Sequence, residues 1–531
     1  MNNLVLTVSA LMPCLLMFIM VCLSRISVLS ISTSSISVFP IQRLWQMLIV
    51  FSGLALAFTL INVCVNSSLT ELHPWLTNNR LASVVALLVQ LLGTVIASFS
   101  KRYLEGESAQ PRYVMALAGV LSAVQLLLLA DHWIVLIVAW ALVGAALQHL
   151  LCFYPDRPFA LLAAHKKRIA DRCTDLLLLS AAALAWITVG SGSLSELWVY
   201  IDHHGMSTAL QICAVCVVLA VILRTALLPV HGWLIQVMEA PTPVSALLHA
   251  GVVNLGGYVL IRFWPLFEHA LTARALLIIF GLATSVLAGF VMLTRITIKV
   301  RLAWSTVAQM GFMLLECGLG LYTLAALHLI GHSLYKAHAF LSASMVVRQT
   351  RLQMMIGTLT ASPTSLILAP MIAIPTVLFI QSVISVDAWP WWWSGVLGLA
   401  WSPLLWLSSQ HRNVRTTGLN GLSGVLMMIG LTSAALLVHA VPLGVHDAPN
   451  EAFGIVALIG MSLLYIGLVI LQLQPKALVA WRRWSYAGFY LDEVYTRWAL
   501  QIWPSRWTPK KTTPIPSSPV LLEQIITQHQ G

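Results

Sequence analysis

The sequence predicts an all-α polytopic membrane protein. Of its 531 residues 59% are hydrophobic and 9% charged, where soluble domains carry about a quarter charged residues. The apolar residues gather in long runs, which at roughly 20 residues per crossing provide for about fifteen transmembrane helices. A soluble protein is excluded, and little chain remains for a second folded unit.

The net charge of +11 comes from 29 Lys and Arg against 18 Asp and Glu. In a soluble protein that surplus would suggest nucleic acid. Here the basic residues lie mostly in short loops between apolar runs, as positive-inside anchoring requires, so the expected environment is the lipid bilayer and no nucleic acid. The loop from Arg157 through Lys166, Lys167, Arg168 and Arg172 is placed in the cytoplasm. The loop holding Glu196 and Asp202 is placed outside.

The apolar runs fall near 4–24, 44–65, 81–100, 112–130, 133–153, 173–190, 207–228, 243–262, 275–294, 301–320, 322–346, 365–386, 389–409, 418–441 and 452–472. Residues 1–24 have neither a basic start nor a small-residue cleavage site and read as the first span. The polar interruptions Ser24–Ser37, Lys101–Arg112 and Tyr154–Arg172 are too short for an extramembrane domain. The division is therefore residues 1–472 as the transmembrane part and 473–531 as an interfacial amphipathic segment with a polar tail. Residues 487–504 alternate aromatic and charged positions, as a helix lying in the membrane interface does. The tail from Ser505 to Gly531 reads as extended.

Two spans combine polar or breaking residues with apolar surroundings. Arg224 precedes Pro229, with Pro241 and Pro243 opening the next span, while Pro370 and Pro375 fall inside 365–386. Broken helices in corresponding halves are a mark of transporters built from inverted repeats; a kink that only improves packing is the plainer reading of each proline.

Ionisable side chains inside a bilayer are costly and tend to line polar paths. Arg224, His249, Lys299, His328, His332, Lys336 and His338 all lie in or beside otherwise apolar spans. His328, His332 and Lys336 are spaced by four and share one helical face. His titrates near neutral pH and a desolvated Lys can approach it, so such a stripe can relay protons through water. A zinc pair at His328 and His332 is the alternative, but the residue after the first His is Leu329 where a zincin has Glu. Arg224 stays protonated and can act only as a fixed charge, unless it merely snorkels from the span end. Arg172 and Asp175 read as a structural ion pair, and Glu316 is expensive unless partnered. Cys213 and Cys216 read as small apolar residues, since no second pair completes a metal site. A Gly-rich nucleotide loop and clustered cysteines for iron and sulfur are both lacking, so neither nucleotide binding nor electron transfer is expected.

The run HGWLIQVMEAPTPVSALLHAGVVNLGGYVLIRF, His231 to Phe263, resembles the proton-translocating membrane subunits of respiratory complex I and the Mrp-type cation/proton antiporters. So does IKVRLAWSTVAQMGFMLLECGLGLYTLAALHLIGHSLYKAHAFLSAS, Ile298 to Ser344, and GFYLDEVYTRW, Gly488 to Trp498, is similar to the end of the complex I L-type subunit. The resemblance implies an antiporter-like bundle with inverted repeats and broken helices. It also implies a proton path at Arg224, His249 and Lys336, with Lys299 and His332 connecting them. Two departures stand out. Ala141, in AWALVGAALQH, occupies the place of the family's glutamate, and Arg224 that of a lysine. His149, two turns beyond Ala141, is a candidate for a rerouted path. A lysine in 365–386 and the long terminal extension of the L-type subunit are also lacking.

The stretch LLCFYPDRPFALLAAHKKRIADR, Leu150 to Arg172, is closer to the membrane subunits of the DAB inorganic carbon accumulation complex. That resemblance implies a subunit in a bacterial inner membrane that conducts cations, expected to be protons. Its partner would be a soluble DabA-type zinc protein resembling β-carbonic anhydrase, which hydrates CO2 to bicarbonate one way. The zinc would belong to the partner, with no catalytic residue, cofactor or metal in this chain. The alternatives are a respiratory or Mrp-type subunit, or a non-conducting scaffold for a soluble enzyme.

Overall fold

The computed structural model describes residues 2–34, 39–66, 70–343, 361–384, 388–407, 414–474 and 476–505. The expected extension of the tail lies, apart from Ser505, outside the described residues.

The chain folds into helices α1 (Asn2–Ser34), α2 (Ile41–Val65), α3 (Arg80–Tyr103), α4 (Gln110–Leu129), α5 (Trp133–Leu151), α6 (Pro158–Val189), α7 (Leu194–His204) and α8 (Thr208–Arg224). There follow α9 (Gly232–Gln236), α10 (Thr242–Ala250), α11 (Leu255–Arg262), α12 (Trp264–Glu268), α13 (Leu271–Leu293), α14 (Ile298–Leu319) and α15 (Tyr322–Leu341). The last are α16 (Pro363–Ile384), α17 (Trp391–Trp401), α18 (Val414–His439), α19 (Glu451–Leu473), α20 (Val479–Tyr486) and α21 (Leu491–Ile502). Among the described residues twelve helical stretches are long and apolar enough to cross a membrane. The three other expected runs are occupied by α8, α15 and α17, which are shorter or more polar. One departure from an all-helical chain is a small antiparallel hairpin of β1 (Thr70–His73) and β2 (Leu76–Asn78).

Local chemistry sets many helix ends. Asn79, Ser193, Ser207 and Asn450 accept backbone N–H bonds at the starts of α3, α7, α8 and α19, the role short polar side chains play at N-caps. Asp447 does the same from a distance, accepting from the Thr323 N–H at 2.7 Å at the start of α15; burial still holds its carboxyl above the usual range. Helix α13 packs along α14, and Gly281 and Gly311 let the backbones approach: a Cβ on Gly281 would lie 2.7 Å from the Gly311 carbonyl oxygen. Small residues serve this purpose in membrane bundles, where apolar burial between helices gains little over lipid.

Two expectations need correction. The basic segment 157–172 is not a loop, because α6 begins at Pro158, the favoured first helical position for proline, and carries Lys166 and Lys167 inward while Arg168 and Arg172 stay exposed. Pro370 and Pro375 do not break α16, which runs through both. The break in that half falls one span later, where α17 gives way to a 3-10 turn at Ser402–Leu405 containing Pro403. In the first half the helix does stop at Arg224. Ala226 takes a positive φ of 57°, Leu228–Pro229 is cis, and the chain resumes as α9. A second interruption at Gly251 separates α10 from α11.

Candidate functional site

The first polar cluster forms where α8 stops. Arg224 is 7% exposed. Its Nε lies 3.4 Å from Asp171 Oδ1, its Nη1 3.3 Å from Asp175 Oδ1, and its Nη2 donates to the Trp140 carbonyl. Lys167, also buried, donates to Asp171. Lys167, Asp171 and Asp175 are spaced by four on α6, so they stack on one face, and α6 packs along α8. Two buried cations thus meet two largely buried carboxylates. Arg172, its side chain 67% exposed, reaches Asp175 Oδ2 at 3.5 Å and forms only the rim of this network. Gly144 on α5 makes the room: a Cβ there would lie 2.9 Å from both Arg224 Nη2 and Asp171 Oδ2. No acid stands at Ala141; the carboxylates come from α6 instead.

The second cluster lies between α10, α14 and α15. Lys336 is fully buried, and its Nζ donates to Ser305 Oγ at 2.8 Å and to the Leu302 carbonyl at 3.1 Å. Both partners are neutral. One turn away His332 faces His328, ring centroids 6.0 Å apart, and His328 Nδ1 meets Glu316 Oε2 at 2.8 Å. His249, fully buried on α10, stacks on Phe340 at 4.5 Å. Both nitrogens of His249 and His332, and Nε2 of His328, have no protein partner. Leaving such atoms dry costs about 1–3 kcal/mol each, so they call for water, the medium a proton relay uses.

The other expected residues fall elsewhere. Lys299, at the start of α14, donates to Thr242 Oγ1 at 2.8 Å and ties α14 to α10. His338 is exposed, as its offset of two residues from Lys336 dictates: a helix turns about 200° over two residues. His149 is exposed as well, off the buried stripe of Trp140, Val143 and Leu147. Among the described residues no hydrogen bond or ion pair joins the two clusters, and no three His, Cys, Asp or Glu side chains converge as a metal site would require.

Sequence reasoning missed a further junction. Lys166 Nζ contacts Asp492 Oδ1 at 2.6 Å and Thr496 Oγ1 at 3.0 Å, Gln236 donates to Asp492 Oδ2 at 3.0 Å, and Tyr495 donates to the Lys166 carbonyl at 2.8 Å. Helix α21 is therefore docked by a charged side chain against α6 and α9, while Trp498 and Trp503 stay exposed. Its i,i+3 and i,i+4 pattern of Asp492, Tyr495 and Thr496 was the available signal.

Interrupted helices carrying buried ionisable residues define a class, and residues 130–381 match the family described as NADH:quinone oxidoreductase/Mrp antiporter, transmembrane. The fold agrees: the Mrp complex structure from Dietzia sp. DQ12-45-1b superposes with a TM-score of 0.56 at 22% identity, over 97% of this chain and 58% of that one. Within the class the likeness is narrower. The Hydrogenovibrio crunogenus protein named "Probable inorganic carbon transporter subunit DabB" is 35% identical, over 89% of this chain and 91% of its own. "Probable inorganic carbon transporter subunit DabB2" of Halothiobacillus neapolitanus is 37% identical over 84% of each. The chain belongs to the DabB family of multi-pass bacterial membrane proteins.

Proposed function

We propose that this chain is the cation-conducting membrane subunit, with protons as the cation, of an energy-coupled inorganic carbon uptake complex. Its relatives are named as transporter subunits, which supports a role inside a multisubunit assembly. The finer reading pairs it with a soluble zinc protein resembling β-carbonic anhydrase, which carries the hydration chemistry. The chain itself then supplies transport and coupling.

The observation that carries the reading is Lys336, buried with only neutral oxygen partners and flanked by imidazoles that need water. A carboxylate partner would pin the ammonium charge; a hydroxyl and a carbonyl leave it free to give up its proton and regain it. His332, His328 and His249 then serve as the neighbouring donors and acceptors, with Glu316 holding His328 in orientation. Arg224, locked by two aspartates, supplies a fixed field and never releases a proton. One charge falling through 100 mV yields about 2.3 kcal/mol, enough to bias a hydration equilibrium by more than tenfold.

Vesicles holding the complex with its soluble partner test this. Lys336→Ala is expected to abolish gradient-dependent proton uptake, and growth at ambient CO2 of a host dependent on the complex, with the complex still assembled. Unchanged uptake overturns the path and leaves a scaffold. The match to the Mrp complex structure favours one other reading, an antiporter or respiratory subunit. Co-purification with quinone or iron-sulfur subunits would mark that case.

A further inference from the structure

Between the second cluster and the α7 end of the bundle, Asn254, at the cap of α11, and the polar side chains of α11 form a file that the path above does not use. Asn254, Tyr258 and Arg262 are spaced by four and therefore lie on one face. All are buried, Tyr258 completely. At the inner end Asn254 Nδ2 donates to Ser333 Oγ at 2.7 Å, and Ser333 lies one turn before Lys336 on α15. Asn254 Oδ1 has no protein partner, yet Asn254, Ser333 and Tyr258 border a cavity of about 10 Å³, the size at which a single water fits. An orphaned acceptor beside a water-sized space is a hydration site.

At the outer end Tyr258 OH donates to the Leu128 carbonyl at 2.9 Å and accepts from Arg262 Nη1 at 3.3 Å. Arg262 Nη2 continues to Asp131 Oδ1 at 3.2 Å and to Thr77 Oγ1 at 3.1 Å. Arg262 and Asp131 line a second cavity of about 480 Å³, with Ser195 and Trp198 of α7 on its wall. Helix α7 follows the far end of α6 from its basic start at Arg157, Arg168 and Arg172, and the positive-inside rule, which puts that start in the cytoplasm, puts the α7 end outside. Arg262 is paired with Asp131 at the mouth, and half-buried Arg80 adds a positive charge to the cavity wall.

We infer that this file is the outward arm of the ion path: water bridging Lys336 to Ser333, a water at Asn254 and the Tyr258 hydroxyl form a wire to a vestibule at the α7 end. The inference rests on the proposed function. In each hop a water or hydroxyl oxygen accepts a proton on one side and releases its own on the other; the Tyr258 hydroxyl turns from the Leu128 carbonyl to hand its proton to water in the vestibule, so the wire carries charge without being consumed. Tyr258 is the gate, since it borders the small cavity and its hydroxyl accepts from Arg262, which lines the vestibule. Arg262 keeps its proton and positions that hydroxyl.

Proton uptake by vesicles reconstituted with the whole complex, followed with an enclosed pH dye, tests the arm. Tyr258→Phe and Asn254→Leu are each expected to slow uptake by about tenfold or more, the rate equivalent of one lost hydrogen bond at the barrier. Ser333→Ala is expected to slow it less, because water can replace the hydroxyl. Tyr113→Phe is the control: it removes an equally buried hydroxyl, bonded to Ser100 at 2.8 Å, and is expected to leave uptake unchanged. Wild-type uptake in both Tyr258→Phe and Asn254→Leu, with Lys336→Ala inactive, overturns the arm and spares the central path. Equal losses in Tyr258→Phe and Tyr113→Phe also overturn it, since the loss would then be structural. Wild-type uptake in Lys336→Ala instead removes the proposed function, and with it the arm.

Discussion

The two buried clusters use similar residues to opposite ends. Around Arg224 every charge is answered: two cations meet two carboxylates, and a backbone carbonyl accepts a further guanidinium N–H. Around Lys336 little is answered. The ammonium has neutral partners, five of the six imidazole nitrogens of His249, His328 and His332 lack protein partners, and the one carboxylate, Glu316, pairs with His328 rather than with the lysine. A saturated ion network holds charge in place, and breaking it strands what remains. An unsaturated one lets charge move. Arg224 fits the first role, because guanidinium does not release its proton at any physiological pH.

That contrast can be broken in descending order of effect. Arg224→Ala leaves Asp171 and Asp175 facing one lysine in a buried site, and should cost about 3–5 kcal/mol of stability, read as a large loss of folded protein in detergent melts. A small loss would mean the network is solvated and the contrast false. Gly144→Val places a side chain against Arg224 and Asp171 and should cost about 1–3 kcal/mol by overpacking; unaltered melting would show that the cluster can shift aside. Glu316→Gln, on the unsaturated side, keeps a hydrogen-bonding group beside His328 and should cost only about 1 kcal/mol in the same melt while slowing proton uptake. Arg172→Ala, at the exposed rim, should change stability by less than about 0.5 kcal/mol. If it costs as much as Gly144→Val, the rim belongs to the core of the network.

The apolar runs are legible because a stretch of about twenty apolar residues, wound as a helix, matches the thickness of a bilayer's hydrocarbon core. The stop at Arg224 is legible because a following proline forbids the helix to continue. Pro370 and Pro375 mislead, since neighbouring helices can absorb a proline's missing N–H inside a membrane bundle. Lys166, Lys167 and Asp171 look like loop charges because a basic stretch between apolar runs has the same composition whether it lies outside or folds inward. Their partners, Arg224 and Asp492, are distant in sequence. The four-residue spacing of Lys167, Asp171 and Asp175 is the local clue, and the three-residue pair of Arg172 and Asp175 competes with it. His149 and His338 stand out by residue type alone; their helical phase, also legible, places them outside.

The central claim is that Lys336 must lose and regain its proton. Lys336→Arg keeps the positive charge and the hydrogen-bond donors for Ser305 and Leu302, and removes only the ability to deprotonate. Proton uptake by vesicles holding the assembled Lys336→Arg complex is the most direct measurement. The account predicts uptake as low as in Lys336→Ala, and uptake at the wild-type rate would contradict it.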